Sequence, residues 1–156
     1  MFLLFLALCE GCLAGLRPFT TAAILSWAIH FSALELSGTS LAVCGTWWLP
    51  ITLSVLAIAE LIRDKLSTTR CRRSRAQFAL RLCVGLFCGA ALSMPHSVPW
   101  WPMVIGAVGA TIGTFAGSTL RRALSRALDG DMPIAFLEDA VAIFGGLSIL
   151  SQICYK

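Results

Sequence analysis

Apolar runs that approach the length of a membrane-spanning helix fill most of this sequence. A helix needs roughly 20 apolar residues to cross about 30 Å of hydrocarbon. We predict membrane helices at residues 2–31, 47–66, 77–93, 101–120 and 134–152. Because these segments leave no room for a soluble domain, the expected fold is an all-α, multi-pass bundle of about five helices in one integral membrane domain, 1–156.

The composition excludes an ordinary soluble domain. Hydrophobic residues make up 58% of the chain and charged residues 13%, which is about half the charged fraction of a typical soluble domain. The apolar N-terminus lacks a positively charged leading segment and stays apolar through Trp27. We therefore interpret it as a retained first helix and not as a cleaved secretory signal.

Basic residues cluster in two segments, and this clustering predicts the orientation. Of the 12 Lys and Arg residues, seven lie within 63–81 and three within 121–126. Basic loops face the cytoplasm, so we expect the N-terminus inside and the C-terminus outside a bacterial inner membrane. The net charge of +4 then indicates anionic lipids, and not nucleic acid, as the partner. These lipid contacts are expected at Arg70, Arg72, Arg73 and Arg75.

The tryptophans agree with this orientation. Indole side chains favour the membrane–water interface. All five lie at predicted outer helix ends: Trp27, Trp47, Trp48, Trp100 and Trp101.

Glycines recur at helical spacing and indicate close helix packing. They are four residues apart in three groups: Gly11 and Gly15; Gly85 and Gly89; Gly109, Gly113 and Gly117. In lipid, small residues let helix backbones approach each other and gain dispersion contacts. We interpret these glycines as packing residues, with a narrow channel for a small solute as the alternative.

The seven cysteines include one Cys-x-x-Cys pair, Cys9 and Cys12, within an apolar segment. A structural zinc site needs four ligands in paired spacings, and a thioredoxin-like site needs a βαβ context. The sequence shows neither pattern, so we interpret the pair as packing residues. We expect no cofactor and no metal, and we interpret His30 and His96 as interfacial residues.

Two charged residues, Glu10 and Arg17, interrupt the first apolar segment. A charge near the bilayer centre costs roughly 2.5–3.5 kcal/mol, so such residues usually face the bundle interior, pair or serve a function. Pro18 disfavours a continuous helix through Arg17. We predict a kink or break there, and an acidic partner for Arg17, with Glu10 and Glu60 as the leading candidates.

A second charge cluster lies at the predicted cytoplasmic helix ends. Glu60, Arg63 and Asp64 share a helix face because they are three and four residues apart. Charged residues also begin or end the other helices: Arg81, Arg121, Arg122, Glu138 and Asp139. Acids at a helix N-terminus and bases at a C-terminus offset the helix dipole. The cluster is therefore either a structural ion-pair network or a functional site.

Five segments resemble a bacterial membrane family known as domain-of-unknown-function family 4126. They are "AGLRPFTTAA", "ELIRDK", "RLCVG", "AGSTLRRALSR" and "LEDAVAIFGGLSIL", in the order and spacing of that family. The resemblance implies a small helical inner-membrane protein without assigning a substrate. It also implies that these positions belong to the recurring family motifs: Arg17, Glu60, Asp64, Lys65, Arg81, Glu138 and Asp139.

Three functions fit these residues. The first is a small transporter or channel, expected to be a homo-oligomer, with charged side chains lining a polar path: Glu10, Arg17, Glu60, Asp64, Arg81, Glu138 and Asp139. The second is an enzyme that acts on lipid headgroups at the cytoplasmic interface, with acids holding Mg²⁺ and arginines holding phosphate. The third is a structural or assembly subunit of a membrane complex. We favour a non-enzymatic role, because no phosphate loop or partnered nucleophile is present.

An internal repeat is a further hypothesis. Many transporters contain inverted repeats with broken helices at the binding site. "AGLRPFTTA" and "AGSTLRRALSRA" both place Arg shortly after Ala-Gly, on the first and fourth predicted helices. In the predicted topology these two helices run in opposite directions.

Overall fold

The computed structural model describes residues 2–31, 40–66, 75–93, 100–127 and 132–154, except for the side chains of 40, 42, 63–66, 125–127, 132–135 and 153–154. The regular structure in these ranges is entirely helical, which confirms the all-α part of the predicted fold class. The elements are α1 (Phe2–Leu16), α2 (Pro18–His30), a 3-10 helix (Ser40–Gly45), α3 (Trp48–Leu66), α4 (Arg75–Ser93), α5 (Trp101–Ala127) and α6 (Met132–Cys154).

Within the described residues, two helices are long and apolar enough to cross a bilayer. They are α4 over Arg75–Ser93 and α5 over Trp101–Leu124. Phe2–Leu16 and Trp48–Ile62 are also apolar but shorter. Length and composition thus support two of the five membrane helices that the sequence predicts.

The first predicted helix is divided at Arg17. The backbone of Arg17 has φ −137° and ψ 85°, which is not helical, and Pro18 begins α2. Proline suits the first position of a helix, because it has no N–H to leave unpaired and its φ is already close to the helical value. The predicted break between Arg17 and Pro18 is confirmed.

The chain turns back at this break, so α1 and α2 form a helical hairpin. Leu13 lies against Gly145 and Arg17 contacts Asp139, so α1 runs antiparallel to α6. Ile24 lies against the glycine that follows Gly145, so α2 runs parallel to α6. The two arms of the hairpin therefore run in opposite directions, with α6 packed against both.

Helix α1 runs parallel to α5 at very short distance. Successive turns of α1 meet α5 at three glycines: Leu8 at Gly109, Cys12 at Gly113 and Leu16 at Gly117. A side chain at Gly113 would overlap the Cys12 carbonyl oxygen. The glycines thus pack helices together, as the sequence indicated.

Helix α4 packs against the pair formed by α1 and α5 and runs antiparallel to α5. Gly85 lies against Gly106, and Gly89, one turn later, lies against Pro102. Helix α3 is antiparallel to α2, because Trp27 Nε1 donates a hydrogen bond to Ser54 Oγ at 3.0 Å and Phe19, near the start of α2, contacts Glu60 further along α3.

The six described α-helices consequently alternate in direction, which defines two ends of the fold. The aromatic end carries Trp27, Trp47, Trp48, Trp100 and Trp101. The basic end carries Arg75 at the start of α4 and Arg121 and Arg122 in the last turns of α5.

This arrangement differs in two respects from the one expected from the sequence. The start of α1 lies at the aromatic end, because the segment 2–31 turns back at Arg17 and does not continue as one helix. The side of the membrane on which the N-terminus lies stays a prediction. Helices α1 and α5 also run in the same direction, so they are not related as an inverted pair.

Candidate functional site

The hairpin tip, Arg17 to Thr21, exposes backbone groups that an unbroken helix would pair internally. The last carbonyl groups of a helix and its first N–H groups have no intrahelical partner. Gly15 O accepts a hydrogen bond from Thr114 Oγ1 of α5 at 3.2 Å. Arg17 O accepts one from Thr21 Oγ1 at 3.0 Å. A side chain of α5 therefore satisfies one carbonyl group at the end of α1, and Thr21 binds the carbonyl of the N-cap residue of α2.

A carboxylate satisfies the start of α2. The backbone N–H of Phe19 donates a hydrogen bond to Glu60 Oε2 of α3 at 3.3 Å. Glu60 is buried, and the N-terminus of a helix carries a partial positive charge that a carboxylate offsets. This contact explains why Glu60 lies about one turn deeper than the end of its own helix would require.

Arg17 and Asp139 form an ion pair across the hairpin tip. Arg17 Nη2 lies 2.5 Å from Asp139 Oδ1, and the side chains are 1% and 12% exposed. The expectation that Arg17 faces the interior beside an acid is met. Of the two leading candidates, Glu10 forms no ion pair with Arg17; it lies seven residues earlier on α1, about 10 Å of helix rise away.

A second ion pair lies next to the first, between α5 and α6. Arg121 Nη1 is 3.4 Å from Glu138 Oε2, and both side chains are mostly buried. Because Glu138 precedes Asp139, the two pairs share one level of the bundle. The side chain of Asp64, also predicted for this site, lies outside the described residues.

Arg81 lies at the same level of the bundle as these ion pairs, as the alignment of α4 with α1 indicates. Cys88 of α4 lies close enough to Glu10 to interact with it electrostatically. Because α4 and α1 are antiparallel, the residue seven positions before Cys88 in α4 lies level with the residue seven positions after Glu10 in α1. Arg81, which is half-buried, is therefore level with Arg17.

Thr20 adds a polar group that the sequence interpretation did not single out. Its Oγ1 is buried and makes no hydrogen bond with the described residues. Unpaired buried polar groups are uncommon and call for an explanation. The available sequence signal is Pro18, since proline is over-represented at the first position of a helix and so places Thr20 in the first turn of α2.

Glu10 lies apart from this cluster. It is 1% exposed, on the part of α1 that faces α4. It makes no hydrogen bond or ion pair with the described residues. The structure thus places one predicted site residue away from the hairpin tip, in apolar surroundings.

The packing role of Cys9 and Cys12 stays a prediction; both are half-buried on α1. Cys9, Cys12, Cys44, Cys83 and Cys88 are free thiols. His30 Nδ1 is 2.7 Å from Gly45 O, between α2 and the 3-10 helix. In the described part of the chain, no three His, Cys, Asp or Glu residues are grouped as metal ligands.

One family model matches this chain, over residues 4–152. Its description is "Domain of unknown function (DUF4126)". No curated protein and no solved structure matches the chain.

Proposed function

This chain belongs to the DUF4126 family, which is defined by a domain of unknown function, and we propose that it is a small membrane transporter or channel whose path passes the hairpin tip. The observation that carries the proposal is the buried Arg17–Asp139 pair at the point where α1 turns back into α2. Charged residues inside membrane bundles usually mark ion or substrate pathways.

Exposed apolar surface supports a membrane location for the whole bundle. Large apolar side chains point outward along α3, α5 and α6, among them Val55, Ile58, Val108, Phe115 and Phe144. Soluble monomers rarely expose such continuous apolar surface. The aromatic and basic ends then correspond to the two membrane interfaces, with the basic end in the cytoplasm. The start of α1 and the end of α6 then lie on the outer side.

The lengths of the hairpin arms support a tip inside the membrane. Helix α1 has 15 residues and α2 has 13, which correspond to about 22 Å and 20 Å at 1.5 Å per residue. The hydrocarbon core is about 30 Å thick. Helix α5 continues from Gly117, beside the tip, to Ala127, about 15 Å further. The tip therefore lies level with Arg121 and stops short of the last residues of α5.

Broken helices at membrane depth are tolerated where they are buried in protein or line a polar cavity. In transporters such helices supply binding groups for ions and substrates, because their ends carry partial charges. At this tip, Glu60 covers the start of α2 and Asp139 neutralises Arg17. Each carboxylate therefore lies beside a positively charged group at the tip. A transported solute would contact these positively charged groups.

The test is a flux measurement on protein reconstituted in liposomes, with Na⁺, K⁺, H⁺, Cl⁻ and phosphate as probes. We expect flux of at least one probe in the parent, and its loss in Asp139→Asn and Glu60→Gln. The matched control is Glu35→Gln, which removes a carboxylate between α2 and the 3-10 helix and should retain flux. Flux equal to that of empty liposomes with every probe would overturn the proposal. So would equal loss in the control.

A further inference from the structure

Glu10 is the one described acid that lies away from the ion pairs at the hairpin tip. Its side chain is almost fully buried and makes no hydrogen bond or ion pair with the described residues. Its nearest helical neighbours on the buried face are Leu6, Ala7, Leu13 and Ala14. A polar group in such a position needs a compensating partner.

Among the described residues, the helices packed against Glu10 offer it no charged partner. Helix α4 presents Cys88, which is fully buried. Helix α5 faces this part of α1 with Gly106 and Gly109. On α1 itself the adjacent titratable group is Cys9. The closest basic residue along α1 is Arg17, which is about 10 Å away and pairs with Asp139.

A carboxylate in these surroundings must be neutralised by a ligand. An isolated ionised carboxylate in an apolar medium is so unfavourable that the group becomes neutral instead. A hard cation such as Mg²⁺ or Ca²⁺ needs about six or more oxygen ligands, and Glu10 belongs to no group of three or more potential ligands among the described residues. A proton needs only one basic oxygen. The surroundings of Glu10 therefore suit a proton.

We propose that Glu10 is a proton-binding site in the membrane interior and that proton transfer through it is coupled to the path at the hairpin tip. This inference rests on the proposed function. Carboxylates that exchange protons at membrane depth are typical of proton-coupled pumps and transporters. One helix, α1, carries Glu10 and ends at Arg17, so a movement of α1 that exposes Glu10 also moves the tip.

Proton binding can be measured without any transport assay. Infrared spectra of the protein in lipid detect the carbonyl stretch of a protonated carboxyl group, which an ionised carboxylate lacks. We expect such a band at neutral pH in the parent and in the Glu35→Gln control, and its loss in Glu10→Gln. Glu10→Asp keeps a carboxyl group and should retain the band, which separates proton binding from a general effect on folding.

Proton movement is then measured with a pH-sensitive dye inside liposomes, driven by a K⁺ diffusion potential. We expect proton flux in the parent, flux at the level of empty liposomes in Glu10→Gln, and partial flux in Glu10→Asp. A band that persists in Glu10→Gln, or parental flux in that variant, would overturn the Glu10 proposal while the proposed path stands. A Glu10 band in a protein that moves none of the probes would instead overturn the proposed function and support only the proton site.

Discussion

Arg17 and Asp139 meet at 2.5 Å across the break between α1 and α2, although 122 positions of sequence (139 − 17) separate them. The pair holds the hairpin tip against α6. Removing one member of a buried ion pair leaves a charge without compensation and typically costs about 3–5 kcal/mol. We expect Arg17→Ala to lower the free energy of unfolding by about that amount. The measurement is unfolding in detergent micelles, followed by tryptophan fluorescence.

The control for this prediction is Arg75→Ala, since Arg75 is exposed at the start of α4. Exposed charges contribute about 0–1 kcal/mol. The exchange variant with Asp at 17 and Arg at 139 should recover part of the loss, because it restores opposite charges. An Arg17→Ala protein as stable as Arg75→Ala would contradict the prediction.

Glu60 should stabilise the start of α2 through its hydrogen bond from the Phe19 N–H. Removal of a side-chain acceptor at a helix N-terminus costs about 0.5–2 kcal/mol. We expect a loss of that size in Glu60→Ala and a smaller one in Glu60→Gln, which keeps an acceptor oxygen. The comparison uses the same unfolding measurement. Equal losses in the two variants would mean that the hydrogen bond does not explain the role of Glu60.

The break and the hairpin differ in how far local sequence determines them. Pro18 directly after a charged residue predicts the break, because proline disfavours the helical conformation of the preceding residue. The direction of the chain after the break depends on contacts with α6, at Gly145 and the glycine after it. Local pattern contains no information about such distant contacts, so the hairpin could not be predicted.

The partner of Arg17 illustrates the same difference. Burial of Arg17 follows from its cost in lipid and was predictable. Glu10 was a leading candidate because it shares a helix face with Arg17, whereas Asp139 is brought in only by the packing of α6 against the hairpin. Glu60 was identified, but its contact with the start of α2 requires the tertiary structure.

The hairpin predicts that the N-terminus and the basic segments lie on opposite sides of the membrane. Two proteins test this, each with one cysteine, at Cys71 or at Phe2→Cys, and the remaining cysteines replaced by alanine. We expect an impermeant maleimide to label Phe2→Cys in intact cells and Cys71 only after permeabilisation. The same proteins test the packing interpretation of Cys9 and Cys12. If that interpretation holds, changing these two cysteines to alanine should leave expression nearly unchanged. Labelling of both positions from the same side would contradict the hairpin.

Gly113 should be essential for the packing of α1 on α5, because any side chain there overlaps the backbone of Cys12. Backbone atoms cannot move aside without separating the helices, and overpacking typically costs about 1–3 kcal/mol. We expect Gly113→Ala to lower the free energy of unfolding by at least that amount. The matched control is Gly145→Ala, whose added methyl group has the Leu13 side chain as its nearest described neighbour, at 3.1 Å from Cδ1. A leucine side chain can adjust by a few tenths of an ångström, so this variant should lose much less. The same loss in both variants, or no loss in Gly113→Ala, would show that close backbone contact between α1 and α5 does not hold the hairpin in place.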